Sequence, residues 1–200
     1  MRPEFEIRAD YDPASVVVYQ AYARKIAEPA LRAQRFVPPF SFGRMTWIKP
    51  SYLWLMHRSN WAQKSGQECI LAVRIARDAF VRLLTLAVLT GFDARAHRDP
   101  GEWSAAMSAA KVHVQWDPER SLRGAALPHR SIQIGIGRDL IREFAEQWIQ
   151  SITDLTPLTT KIRNLLRTGK AADATKNLPP ERPWPVPPGT GTQLLLSPPK

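Results

Sequence analysis

The chain is predicted to fold as a single α+β domain, with a mixed, mostly antiparallel sheet and flanking helices. Three observations carry this expectation. Strand-like and helix-like segments are interspersed, without the strict alternation that a doubly wound parallel sheet requires. Two segments, 111–117 and 131–136, alternate apolar and polar residues with a period of two. Two hundred residues with 44% hydrophobic composition suit one core of ordinary size.

The elements follow in order. Residues 16–22 (VVVYQAY) read as a strand from their β-branched and aromatic content. Residues 23–35 suit a helix through Ile26, Ala30, Leu31 and Gln34, with Pro29 in its first turn or at a kink. Pro38-Pro39 imposes an extended connection into a short strand at 44–48. Ser51 is placed to cap a buried helix that runs to about Asn60. Residues 68–75 (ECILAVRI) form another strand, followed by a helix with Asp78 as cap and Gly91 as stop. Asp99-Pro100 opens a shorter helix that carries Trp103 and Met107.

In the first alternating strand Val112, Val114 and Trp116 share one face, and His113, Gln115 and Asp117 the other. In the second, Ile132, Ile134 and Ile136 point inward, opposite Ser131 and Gln133. Two amphipathic helices are expected next. The first covers about 138–152, with Leu140, Ile141, Phe144, Trp148 and Ile152 on one stripe; the second runs from Thr156-Pro157 to Gly169. These elements define a globular domain over residues 1–177. Residues 178–200 read as an extended, disordered Pro-rich tail, passive or a ligand for a protein partner through its Pro-x-x-Pro character.

Composition narrows the function. Twenty-eight Lys and Arg against 18 Asp and Glu give a net charge of +10, which favours an anionic partner such as nucleic acid or a nucleotide. A generally basic, Arg-, Ala- and Pro-rich proteome accounts for the same excess. The first ten residues lack the apolar run of a signal peptide and no apolar run reaches membrane length, so a cytoplasmic protein without membrane contact is expected. The single Cys69 and four well-separated histidines offer no disulfide framework and no metal-ligand spacing. There is no Gly-x-Ser-x-Gly elbow, phosphate-loop Gly-Lys-Ser/Thr or His-Glu-x-x-His. Gly135-Ile136-Gly137-Arg138 follows a strand and opens a helix, but without a third glycine it reads as a tight turn.

The richest stretch is Arg44–Trp61, in which 18 residues hold three of the seven tryptophans, Tyr52, Arg44, Lys49, Arg58 and His57, and no acid. Aromatic faces interleaved with fixed positive charge suit stacking on a base or nicotinamide ring while pairing with phosphates. The competing reading makes the aromatics core and the cations its rim. At the end of the first alternating strand, Gln115, Asp117 and Glu119 lie near Ser131 and Gln133 of the second, with His129 and Arg130 just before it; if the two strands pair, a carboxylate, a Gln and a His converge in one cleft beside the Arg44–Trp61 aromatics. Turn capping by Asp117 and rim ion pairs by Glu119 and Arg120 are the competing reading there.

Four blocks, IRADYDPASVVVYQAY, RMTWIKPSYLWLMHRS, VQWDPERS and PHRSIQIG, resemble a bacterial family catalogued as domain-of-unknown-function family 4291. They span roughly residues 7–160. The resemblance implies a shared fold and carries no activity with it.

A second resemblance lies in layout. A strand ending in Tyr19-Gln20-Ala21-Tyr22, then a helix, then a short strand (Met45-Thr-Trp-Ile-Lys-Pro-Ser) entering another helix, is similar to ADP-ribosyltransferase-like domains. That layout implies NAD as substrate, without a metal. It assigns Tyr19 or Gln20 to the first element, which holds NAD. Thr46 or Ser51 falls in the second, near the nicotinamide, and Gln133 or Glu119 comes closest to the late acidic residue that aligns the ribose. Gln20 stands where a His or Arg is usual, unless Arg8 takes that role, and Gln133 carries no negative charge.

The expectation is therefore an NAD-using ADP-ribosyltransferase-like enzyme acting on a nucleic acid or nucleotide. Gln133, Glu119 and Gln20 would serve catalysis, and Tyr19, Arg44, Thr46, Trp47, Lys49, Ser51, Trp54 and Arg58 would bind the dinucleotide. The alternatives are a non-catalytic nucleic-acid- or nucleotide-binding module and a protein-interaction domain in which the Trp-rich stretch is core.

Overall fold

A computed structural model describes residues 2–186, 190 and 192–196. Two sheets organise it. In the first, β2 (Ser15–Tyr22) pairs antiparallel with β4 (Cys69–Ala76), which pairs antiparallel with β8 (Ile149–Asp154). In the second the order is β3 (Thr46–Ile48), β7 (Ala126–Ile136), β6 (Val112–Arg120) and β5 (Ala87–Leu89); only the β5–β6 pair is parallel. The chain is thus the mixed, mostly antiparallel α+β domain that its sequence predicts.

One core joins the apolar faces of both sheets. Val16, Val18, Leu71, Val73 and Ile75 of the first meet Ile48, Val112, Val114, Ile132, Ile134 and Ile136 of the second. Each such side chain contributes roughly 1.5–3 kcal/mol when fully buried. A second core covers the other face of the first sheet. There Val17, Tyr19 and Ile70 pack against Tyr52, Leu55 and Met56 of α2 (Tyr52–Arg58), Ile162 of α6 (Thr156–Arg167) and Ala174 of α7 (Ala171–Lys176). Burial on both faces explains why residues 16–20 are enclosed without a break while β6 and β7 alternate.

Local signals are met at several ends. Ser51 Oγ accepts from Trp54 N and starts α2. Asp99 does the same for Glu102 N at the start of α4 (Pro100–Ala109). Pro29 sits inside α1 (Arg24–Ala33).

Two expectations are corrected. The helix expected to run from Asp78 to Gly91 is α3 (Arg77–Leu86), with Asp78 in its first turn, and the chain then becomes β5. The helix expected over 138–152 stops as α5 (Arg138–Glu143), widens over Phe144–Trp148 and becomes β8. In both places three to six residues with helical spacing were claimed by an open sheet edge, because the ladder satisfies their backbone groups.

Residues from the expected tail also pack. Beyond α7, β9 (Arg182–Pro183) pairs with β1 (Arg8–Ala9), and Trp184 is 4% exposed against Phe80 and Tyr11. Residues 187–189, 191 and 197–200 of that stretch lie outside the described residues. Among the described residues no helix is long and apolar enough to cross a membrane.

Candidate functional site

A cavity of about 1000 Å³ opens beside the polar face of the second sheet. The chain reaches it from four places. Strand β2 supplies Gln20 and Tyr22; the 39–49 segment supplies Arg44, Thr46, Trp47 and Lys49. Helix α2 adds Trp54, His57 and Arg58, and the β6–β7 pair adds Gln115, Asp117, Arg120 and Gln133. Antiparallel register makes this convergence possible: Trp47 lies opposite Gly135, Gln115 opposite Gln133, and a lone bridge ties Tyr19 to Lys49.

The floor holds two polar networks. In the first, Gln20 Nε2 donates to Thr46 Oγ1 at 2.7 Å and Tyr22 Oη at 2.9 Å, and reaches the Trp47 carbonyl at 3.3 Å. The Tyr22 and Thr46 hydroxyls are 2.7 Å apart. Burial pushes the Tyr22 hydroxyl up to about 12, so it stays protonated at neutral pH. In the second, Gln115 Nε2 and Gln133 Nε2 donate to the two carboxylate oxygens of Asp117, at 2.9 and 2.8 Å. Two neutral glutamine amides thus fix the carboxylate in place.

Lys49 lies beside these networks. It is 8% exposed, donates to the Trp47 carbonyl at 3.1 Å and stands 5.6 Å from the centroid of the Trp54 ring. Burial, with a smaller push from Arg58 and an opposing pull from Asp117, brings its amine down to about 7. Lys25, Arg44, Arg58 and Arg120 line the cavity as further cations, and Asp117 is the sole acid among the described lining residues. The charge in the cavity therefore favours an anion that leaves room for one carboxylate.

Two backbone features shape the walls. A Cβ at Gly135 would stand 2.8 Å from Met45 Sδ and 3.0 Å from the Trp47 ring, so only glycine lets that indole lie across β7. After α2, Asn60, Trp61 and Ala62 take φ of 49°, 54° and 63°, three consecutive left-handed residues without a glycine. Ser59 O accepts from Gln63 and Lys64, and Arg163 Nη1 donates to Trp61 O, which hold the strained turn. It brings Gly66 and Gln67 to the cavity edge.

Of the residues singled out in the sequence, the cavity gathers Gln20, Arg44, Thr46, Trp47, Lys49, Trp54, Arg58 and Gln133. Three others sit elsewhere. Tyr19 is 1% exposed in the second core, edge-on to Tyr52 at 5.5 Å between centroids. Ser51 caps α2. Glu119 is 6% exposed and its carboxylate accepts from Arg120 N. A register shift between Pro118 and Arg120 breaks the alternation there, and Arg120 lines the cavity in its place. Gln115 and Asp117 join Gln133 as the pairing of the two strands predicts, but Ser131, Arg130 and His129, which bonds Arg2, do not line the cavity; Tyr22 and Lys25 carry no signal in the sequence that marks them.

The family model Domain of unknown function (DUF4291) matches residues 6–184, while no curated protein and no solved structure matches the chain. The matched span takes in both sheets, every residue of the cavity, and β9 with the Trp184 that follows it. With nine-tenths of its length inside that match, the chain belongs to the DUF4291 family.

Proposed function

We propose that the protein is an NAD-using transferase of ADP-ribosyltransferase-like type, with a nucleic acid or nucleotide as acceptor. The observation that carries this reading is the shared cavity of cations, aromatic walls and one fixed carboxylate. Arg44, Arg58 and Lys25 suit a pyrophosphate, and Trp47 and Trp54 suit flat rings.

The geometry also supplies the negative charge that Gln133 lacks. Gln133 holds Asp117, and a carboxylate there favours the cation that grows on the ribose as the glycosidic C–N bond breaks. The bonding pair leaves with nicotinamide as a neutral molecule. An acceptor nitrogen or oxygen then bonds to the ribose carbon and loses its proton to solvent or to the Lys49 amine. The work is positioning plus electrostatic stabilisation.

The rim supports a second reading, because Lys25, Arg44 and Arg58 are exposed and basic, as in a module that only binds nucleic acid. Purified protein incubated with NAD, alone and with single-stranded DNA or RNA, separates the two by mass spectrometry. Nicotinamide release with a mass gain on the acceptor, lost in Arg44→Ala and Gln133→Ala, supports the transferase. Salt-sensitive retention of nucleic acid without any release sinks it and leaves the binding module.

A further inference from the structure

The Gln20 network is incomplete in a way that specifies a ligand group. The Gln20 side chain is 2% exposed and its Oε1 has no hydrogen-bond partner among the described residues. Turning the amide over does not solve this: it would set the oxygen 3.3 Å from the Trp47 carbonyl oxygen, two acceptors face to face, and leave the nitrogen as the group without a partner. Buried acceptors left without a donor are uncommon, and in a cavity wall they mark a place where a ligand completes the network.

A proton count extends the point. The Gln20 amide nitrogen carries two protons for the three acceptors around it: Thr46 Oγ1, Tyr22 Oη and Trp47 O. The Tyr22 and Thr46 hydroxyls carry one proton each, and the bond between them uses one. One hydroxyl proton therefore has no acceptor among the described residues. The Gln20 network thus leaves one acceptor and one hydroxyl donor uncommitted.

Phosphate cannot complete this pattern, because at neutral pH it presents acceptors and no reliable donor. The cations of the cavity already suit phosphate. The group that fits is a planar one with an N–H beside a C=O, whose N–H meets Gln20 Oε1 and whose oxygen takes the hydroxyl proton. We propose that Gln20, with Thr46 and Tyr22, forms a carboxamide-reading subsite, which on the transferase reading above receives the carboxamide of the nicotinamide ring. Gln20 is then a specificity residue for that end of the dinucleotide.

The test varies the ligand first. Binding of NAD by the intact protein is compared, by calorimetry, with binding of its 3-acetylpyridine analogue. The analogue keeps the charge and the carbonyl but replaces the N–H donor with a methyl group. The subsite requires the analogue to bind about tenfold or more weakly, the usual consequence of leaving a buried polar group unpaired. Gln20→Met, checked for an unchanged melting profile, should remove most of that difference, and Thr46→Val should weaken both ligands alike.

Equal affinity for the two dinucleotides overturns the subsite while leaving the NAD reading standing. Discrimination that survives in Gln20→Met overturns the assignment to Gln20. Binding of neither dinucleotide overturns the subsite together with the reading on which it rests.

Discussion

Two buried polar clusters meet helix α2, and they are built on opposite principles. At its N-terminal end the carboxylate of Glu181 accepts from Tyr52 N, Arg8 donates to the Glu181 carbonyl, and Arg2 contacts His129. This cluster joins β1, the returning C-terminal segment and the end of the β6–β7 hairpin, and none of Arg2, Arg8, Tyr52, His129 and Glu181 lines the cavity. Further along the helix, Trp54, His57 and Arg58 face the cavity with Lys49, Asp117 and Gln20. Among the described residues, Gln20 Oε1 there has no donor and the buried Lys49 amine has one hydrogen-bond acceptor, whereas the unbonded Arg2 Nε of the first cluster lies away from the cavity and 3.2 Å from the Glu6 carboxylate. Both clusters hold a group that titrates near neutrality: burial and the nearby Glu119 raise Glu181 to about 7, and burial lowers Lys49 to about 7. The difference is that one cluster is closed by chain segments and the other opens onto a cavity. Perturbed groups alone do not mark a site; unmet hydrogen bonds beside open volume do.

The largest expected effect uses the opposite signs of these two groups. Between pH 7 and 10.5 the unfolded chain binds more protons at Lys49 than the folded one, so stability rises with pH across that range. Between pH 4.5 and 7 the folded chain binds more protons at Glu181, so its contribution is full below 4.5 and is lost as pH rises through 7. These two groups together place a stability minimum near pH 7. Lys49→Met should flatten the upper limb, which is worth on the order of a few kcal/mol, and Glu181→Gln the lower limb. Urea midpoints measured from pH 4.5 to 10 check both. A Lys49→Met variant that keeps the upper limb contradicts the burial argument.

Ligand binding sharpens the contrast next. Arg44→Ala should weaken dinucleotide binding by about tenfold through a lost charge-assisted contact. Arg8→Ala in the closed cluster should leave the affinity unchanged at equal folded fraction. Calorimetry at 50 and 200 mM salt also reports whether the Arg44 contribution shrinks with screening, as a phosphate partner requires.

The smallest effect concerns shape. Gly135→Ala must move the Trp47 ring or Met45, because the new Cβ would stand 2.8 Å from Met45 Sδ. A few-fold loss of affinity is expected, with a shift in tryptophan emission. An unchanged affinity with an unchanged spectrum argues that Trp47 does not touch the ligand.

Much of this was legible in the sequence, and the failures have physical reasons. Alternation in 111–117 and 131–136 located the sheet that carries the cavity and the face that lines it, because one side packs on the core and the other meets solvent. The Arg44–Trp61 stretch divided as residue spacing cannot foresee. Trp47 and Trp54 reach the cavity, while Trp61 turns back onto the second core through three left-handed residues. Tyr19 and Gln20 are adjacent and so point to opposite faces of β2: the tyrosine enters the core and the glutamine the cavity. Glu119 shares the parity of Asp117 and lost the cavity to a register shift that no periodicity announces. The strands β5 and β8 were unreadable because their apolar residues continue the spacing of the helices before them, and only tertiary pairing decides between the two.

The comparison of the two clusters reduces to a pair of carboxylates. Nicotinamide release from NAD, measured for Asp117→Asn and Glu181→Gln at equal folded fraction, tests it most directly. The account requires Asp117→Asn to lose about a hundredfold or more in rate, with Glu181→Gln close to the native protein. Equal rates in all three proteins, or a loss in Glu181→Gln as deep as that in Asp117→Asn, would contradict it.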